Sequence, residues 1–209
     1  TRAPEVGVGS RSMDHPISLR LADDLRRTRL TVAFRIILAF PHLIWVTVWG
    51  FVVWLAIIVS WFATLFAGRT PRGLHDFIGQ YHRYWTHVTA YLTFVADPYP
   101  GFVGDRPYPA DLVIAPPAPQ NRWITAFRLI LAIPALIVSQ VLGYLLQILA
   151  VIGWFACLFL GRMPLGLRNL NAWIIRFTMQ THGYLGLLTD RYPSFSPDPP
   201  PAVEPTPAA

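Results

Sequence analysis

The sequence predicts an all-α integral membrane protein built from two tandem repeats. Each repeat reads as an interfacial helix plus a helical hairpin, giving about four spans, with short strands able to pair at the membrane surface. Three observations carry this. The chain is 54% hydrophobic and only 13% charged, with a mean hydropathy of +0.42, a balance that soluble domains of this length rarely show. Its apolar residues are gathered into runs of membrane length. And WFATLFAGRTPRGL, Trp61 to Leu74, returns 93 residues later as WFACLFLGRMPLGL, Trp154 to Leu167.

That offset holds without a gap from His15–Phe102 onto Tyr108–Phe195. It pairs identical residues such as Arg35/Arg128, Pro41/Pro134, Gly68/Gly161, Arg83/Arg176 and Asp97/Asp190. The chain therefore divides into a flexible tail (1–14), repeat 1 (15–102), a linker (103–107), repeat 2 (108–195) and a Pro-rich disordered tail (196–209).

Taken in order, His15–Leu21 alternates apolar and polar residues, as does Tyr108–Ile114 at the same offset. This is the period of a half-exposed strand, and two such strands need a partner. Asp23 to Phe40 then reads as an interfacial helix, capped by Asp23 or Asp24. Its Arg stems lie along apolar surface while their heads reach the phosphates. Ile36 to Ala67 is predominantly apolar for 32 residues, too long for one upright crossing of a core of about 30 Å. Pro41 offers the break, leaving His42 to Ala67 as the span; one long kinked, tilted helix is the alternative. Gly68 closes the span and Pro71 opens the next helix.

Leu74 to Ala96 is long enough to cross but carries Asp76, Gln80, Arg83 and His87 on one narrow face. Such a helix either lies in the interface or crosses with its polar stripe turned inward, and crossing is the favoured expectation. Prolines at 98 and 100 end it. Repeat 2 follows the same plan. Two crossings per repeat put Arg69 and Arg162 at one membrane face, with the halves related by an axis along the membrane normal. The excess of Arg near the tails and linker places those segments inside.

All 17 basic residues are Arg, and Ala, Pro and Gly are abundant, a bias that suggests a GC-rich bacterial genome. The net charge of +6 fits Arg at headgroups; no basic patch with interleaved aromatics supports nucleic-acid binding. A lone Cys157 excludes an intrachain disulfide or a Cys-based zinc site, and the first thirty residues read as polar and Arg-rich rather than as a signal peptide.

The strand-like opening, LTVAFRIILAFPHLI, WFATLFAGRTPRGL and AYLTFVADPYPGF together resemble the bacterial membrane-protein family called domain of unknown function 4389, which often occurs as tandem copies. The second repeat departs from the turn pattern at Met163, Leu165 and Arg168-Asn169. The resemblance implies no activity.

Two sets of residues stand out. Arg69, Arg162, Trp61, Trp154, Arg29, Arg122, Arg35 and Arg128 fall where lipid and interface anchors belong. Asp76, Arg83, His87 and Arg176 form a candidate buried polar site, since an unpaired charge inside a span is costly. Asp76 is the available partner for Arg83, and an Arg snorkelling to the interface is the plainer alternative. His42, His75, His82, His87 and His182 give no i, i+4 metal pair, leaving an axial His87–His182 pair as the one haem option. No GxSxG elbow, HExxH or phosphate loop is present.

The expectation is a multi-pass structural or accessory protein of the bacterial plasma membrane, without catalysis or cofactor, contacting lipids and other membrane proteins or itself. The alternative is a small transporter, channel or lipid-handling protein using an Arg83/Arg176 stripe.

Overall fold

The computed structural model describes residues 15–196; the tails expected at 1–14 and over almost all of 196–209 lie outside them. The element order is β1 (Ile17–Leu21), α1 (Arg29–Ala67), α2 (Arg72–Leu92), β2 (Ala110–Ile114), α3 (Arg122–Leu160) and α4 (Leu165–Leu185). Each element of repeat 1 recurs in repeat 2 at the offset of 93 residues.

The two strands pair antiparallel, with Leu19 opposite Leu112 and Ile17 opposite Ile114. Leu112 is the repeat counterpart of Leu19, so a local twofold axis passes between them. Their alternation places Ile17, Leu19, Ala110 and Leu112 in the core and leaves Arg20 exposed, as a half-buried strand pair requires.

α1 and α3 are single helices of 39 residues. The break expected at Pro41 does not occur, nor does a helix over Asp23–Thr28. Pro41 and Pro134 lie inside α1 and α3 on their exposed faces. At 23–28 the chain is turned by Leu25 at φ 65°. Asp23, expected as a cap, instead accepts from the Leu25 amide and the Arg27 guanidinium. Each long helix ends where Gly68 or Gly161 adopts a left-handed conformation (φ 72° and 68°) and donates its N–H to the carbonyl of Thr64 or Cys157, the closure available to glycine without steric cost.

The repeats exchange contacts. The Arg27 amide donates to the Gly161 carbonyl (3.0 Å) and, at the matching position, the Gln120 amide to Gly68 (2.8 Å). Trp61 Nε1 donates to the Thr125 carbonyl (2.8 Å) and Trp154 Nε1 to Val32 (3.1 Å). The end of α1 thus meets the start of α3 and the end of α3 meets the start of α1, so these helices run antiparallel.

α2 and α4 fold back on α1 and α3 and carry the sheet on their other side, and they also touch each other. The result is three layers along the twofold axis. The outer layer is α1 and α3, the middle α2 and α4, and the far layer β1 and β2. Tyr84, Ile78, Ile174 and Phe177 of the middle layer are buried.

Among the described residues, only α1 and α3 are long and apolar enough to cross a membrane. α2 and α4 are not, so the described helices supply two membrane-length candidates where about four spans were expected. Roughly half of α2 and of α4 lies inside the protein, so the α2 polar stripe is met by protein on several sides. Because α1 and α3 are antiparallel, the Arg69 and Arg162 turns occupy opposite ends of the pair, not the shared end that two crossings per repeat would give.

Candidate functional site

The α2 stripe meets a partner that sequence spacing does not reveal. Arg83 pairs with Asp111 of β2, its Nε at 3.2 Å and one terminal nitrogen at 2.8 Å, and His87 Nε2 lies 2.9 Å from the same carboxylate. The His87 ring stacks on Tyr108 at 4.6 Å. Burial by itself raises the Asp111 carboxyl, but the His87 and Arg83 hydrogen bonds and charges outweigh it and hold it below the usual carboxylate range. Asp76, the expected partner, is instead exposed, 3.5 Å from the His75 ring. Arg176 donates to the Ser196 carbonyl. Of the four residues expected to share a polar site, only Arg83 and His87 come together. The signal for Asp111 is that its repeat counterpart is Ser18, so this carboxylate belongs to one copy alone.

Arg35 and Arg128, expected at headgroups, are among the most buried side chains, each 1% exposed. This corrects their assignment as lipid anchors. Arg35 donates to the carbonyls of Tyr91 (2.8 Å) and Ala96 (3.2 Å) and to Asp97 (2.5 Å), with its guanidinium over the Tyr91 and Phe94 rings. Arg128 repeats the arrangement with the carbonyls of Tyr184 and Thr189, and pairs with Gln120. Both satisfy the carbonyls where α2 and α4 unwind after Tyr91 and Tyr184, around Phe94 and Leu187 at φ 61° and 60°. A helix end buried without such donors is destabilising. Arg27 and Gln120, matched at the same offset, serve the Phe94 and Leu187 carbonyls.

The other expected anchors fall at the two ends of the α1–α3 layer. Arg69, Arg162, Arg29 and Arg122 are exposed. The Arg29 guanidinium donates to the Phe159 carbonyl (3.2 Å) and lies beside Gly161, as Arg122 lies beside Gly68. Trp61 and Trp154 are half-buried and spend their N–H groups on the opposite repeat.

Repeat 1 alone carries an aromatic enclosure around His42. That ring is fully buried, shares a 2.7 Å hydrogen bond between Nδ1 and the Tyr84 hydroxyl, and stacks on Phe102 at 4.3 Å. Ala135 stands at the matching place in repeat 2. His82 is also buried, and desolvation lowers it to about 4; beside it His182, held by the Thr178 carbonyl and the face of Trp85, is lowered by the same cause. His87 and His182 have separate partners, the Asp111 carboxylate and the Thr178 carbonyl. Among the described residues no three His, Cys, Asp or Glu side chains gather as metal ligands. Cys157 is fully buried, its Sγ 3.7 Å from Met163 Sδ, where repeat 1 has the Thr64–Thr70 hydroxyl pair at 3.0 Å.

Several of these polar groups serve helix ends and the seam between halves. The class they define is a tandem-repeat helical protein with two membrane-length apolar helices. Residues 29–104 and 122–196 both match the family described as "Domain of unknown function (DUF4389)", and the chain belongs to that family, as two tandem copies. No curated protein and no solved structure matches it.

Proposed function

We propose that this protein is a non-catalytic accessory or structural component of a bacterial plasma membrane, embedded in lipid and packed against other membrane proteins or a second copy of itself. One observation carries the reading. α1 and α3 each press a single narrow stripe onto the protein body (Val32, Arg35, Ala39, Val53, Ser60 and Thr64 in α1) and present the rest of their length outward. The outward positions are large and apolar, from Leu30 through Phe51 to Phe66 in α1 and from Trp123 through Tyr144 to Leu160 in α3. An apolar surface of that extent is far larger than a water-exposed monomer tolerates.

The transport reading draws no support from the polar residues. Arg83 is paired with Asp111 and Arg176 donates to a backbone carbonyl.

Extraction from native membranes in mild detergent, followed by mass spectrometry of what co-purifies, tests the proposal. Stoichiometric membrane-protein partners or a homo-oligomer are expected. A lone monomer, or protein recovered in the soluble fraction, would overturn it.

A further inference from the structure

We infer that α1 and α3 lie flat within a single leaflet of a phospholipid bilayer and do not cross it. The inference rests on the membrane residence proposed above and concerns how that residence is achieved.

The argument is one of symmetry. The local twofold axis passes between Leu19 and Leu112 and exchanges α1 with α3, which run antiparallel. A twofold rotation reverses a helix direction only when the helix is perpendicular to the axis. If α1 and α3 stood along the membrane normal, the axis would lie in the membrane plane at mid-depth, and everything on it would sit at mid-depth too. The sheet is on it. Arg20 is exposed there, opposite Asp111 in register, and Arg83 is 31% exposed beside them. Upright helices would therefore hold solvent-facing charges level with the centre of the hydrocarbon, the costliest place for them.

Turning the axis onto the membrane normal removes the conflict. The layer order then becomes a depth order. The apolar faces of α1 and α3 are immersed, α2 and α4 lie above them within protein, and the charged sheet faces water. The length of the helices, about 1.5 Å per residue over 39 residues, no longer has to match the hydrocarbon thickness. The exposed Arg29, Arg69, Arg122 and Arg162 come to one depth, two at each end of the layer. There their guanidinium groups meet headgroup phosphates while the neighbouring Phe66 and Leu160 enter the acyl region.

The test uses full-length protein in closed cells and in inverted vesicles, with single cysteines introduced as Arg20→Cys, Arg69→Cys and Arg162→Cys and a membrane-impermeant maleimide as probe. The native Cys157 is buried and the parent protein serves as control. All three positions labelling from the same side is the expected result. Labelling of Arg69→Cys and Arg162→Cys from opposite sides would overturn the flat arrangement while leaving membrane residence intact; loss of the parent protein from carbonate-washed membranes would instead overturn membrane residence itself. Oriented circular dichroism of the unmodified protein in aligned phospholipid bilayers gives an independent answer should a variant misfold. The strong 208 nm band of in-plane helices is expected, and its suppression, the mark of upright helices, would refute the inference.

Discussion

Replacing Arg35 with Met separates structural from interfacial arginines. The substitution keeps a long apolar side chain but withdraws the donors to the Tyr91 and Ala96 carbonyls and to Asp97. Each acceptor left buried and unpaired costs about 1–3 kcal/mol, and breaking a buried ion pair from one side costs about 3–5 kcal/mol. Asp97 is 25% exposed and recovers part of its hydration, so a total near the single-pair figure, about 3–5 kcal/mol, is expected. For a chain of this size that lowers the melting midpoint by roughly 10 °C. Arg83→Met is the comparison. The Arg83 and Asp111 side chains are 31% and 21% exposed, so solvent screens the pair, and Asp111 keeps its His87 contact; about 1 kcal/mol or less is expected. Thermal melts of purified protein in mild detergent, followed by circular dichroism at 222 nm, rank the two. If Arg83→Met melts as low as Arg35→Met, or Arg35→Met melts like the parent, the assignment of Arg35 to the buried end of α2 is wrong.

Three further outcomes follow from the packing. Because burial lowers His82 to about 4, the unfolded chain binds its proton first as pH falls. Its contribution is complete above about pH 6.5 and is lost towards pH 4, in total on the order of 3 kcal/mol; His182 acts with the same sign. His82→Gln should flatten denaturation midpoints measured across that window, and an unchanged slope would contradict the burial. Gly104→Ala should be strongly destabilising, since its φ is 68° and an added Cβ meets the Tyr84 backbone nitrogen at 2.7 Å. Gly143→Ala, which meets nothing within 4 Å, should melt close to the parent, and equal melting of the two would count against the placement of the 101–109 loop. Cys157 should resist a small maleimide in the folded protein and react on denaturation; rapid labelling without denaturant would mean that the α3 end is not packed as described.

Much of this architecture is legible in the amino-acid order. The offset of 93 residues, the alternation in Ile17–Leu21 and Ala110–Ile114 and the Gly-Arg closures each correspond to a feature of the fold, because each depends on local periodicity or on one glycine. The exposed Arg29, Arg69, Arg122 and Arg162 were likewise readable from their position beside apolar runs. Reading failed where the deciding partner is distant. Spacing matches Arg83 with Asp76 because both lie on one helix face, whereas the carboxylate it meets arrives from a strand 28 residues further on. Arg35 and Arg128 look like snorkelling side chains until the unwinding after Tyr91 and Tyr184 supplies carbonyls that need donors. Length alone lets α2 read as a membrane helix, whereas its contacts with α1 and the sheet account for a half-polar helix that is also half buried. Pro41 reads as a break because its nitrogen has no hydrogen to donate and its ring crowds the carbonyl four residues earlier, yet α1 continues through it.

The exchanged contacts between the repeats have a consequence for how such a protein could arise. The seat for the Arg27 amide lies on the second repeat, and the seat for the Gln120 amide on the first; each strand pairs with its counterpart across the axis. One repeat on its own is thus half of an isologous pair, carrying both sides of an interface that it cannot close by itself. The present chain amounts to a homodimer whose subunits have been joined end to end. Once joined, the two copies no longer had to stay identical. They differ at the seam, where Arg27 corresponds to Gln120 and Ser18 to Asp111 at the repeat offset, and in the core, where His42 has its aromatic neighbours in one half and a buried Ala135 takes its place in the other.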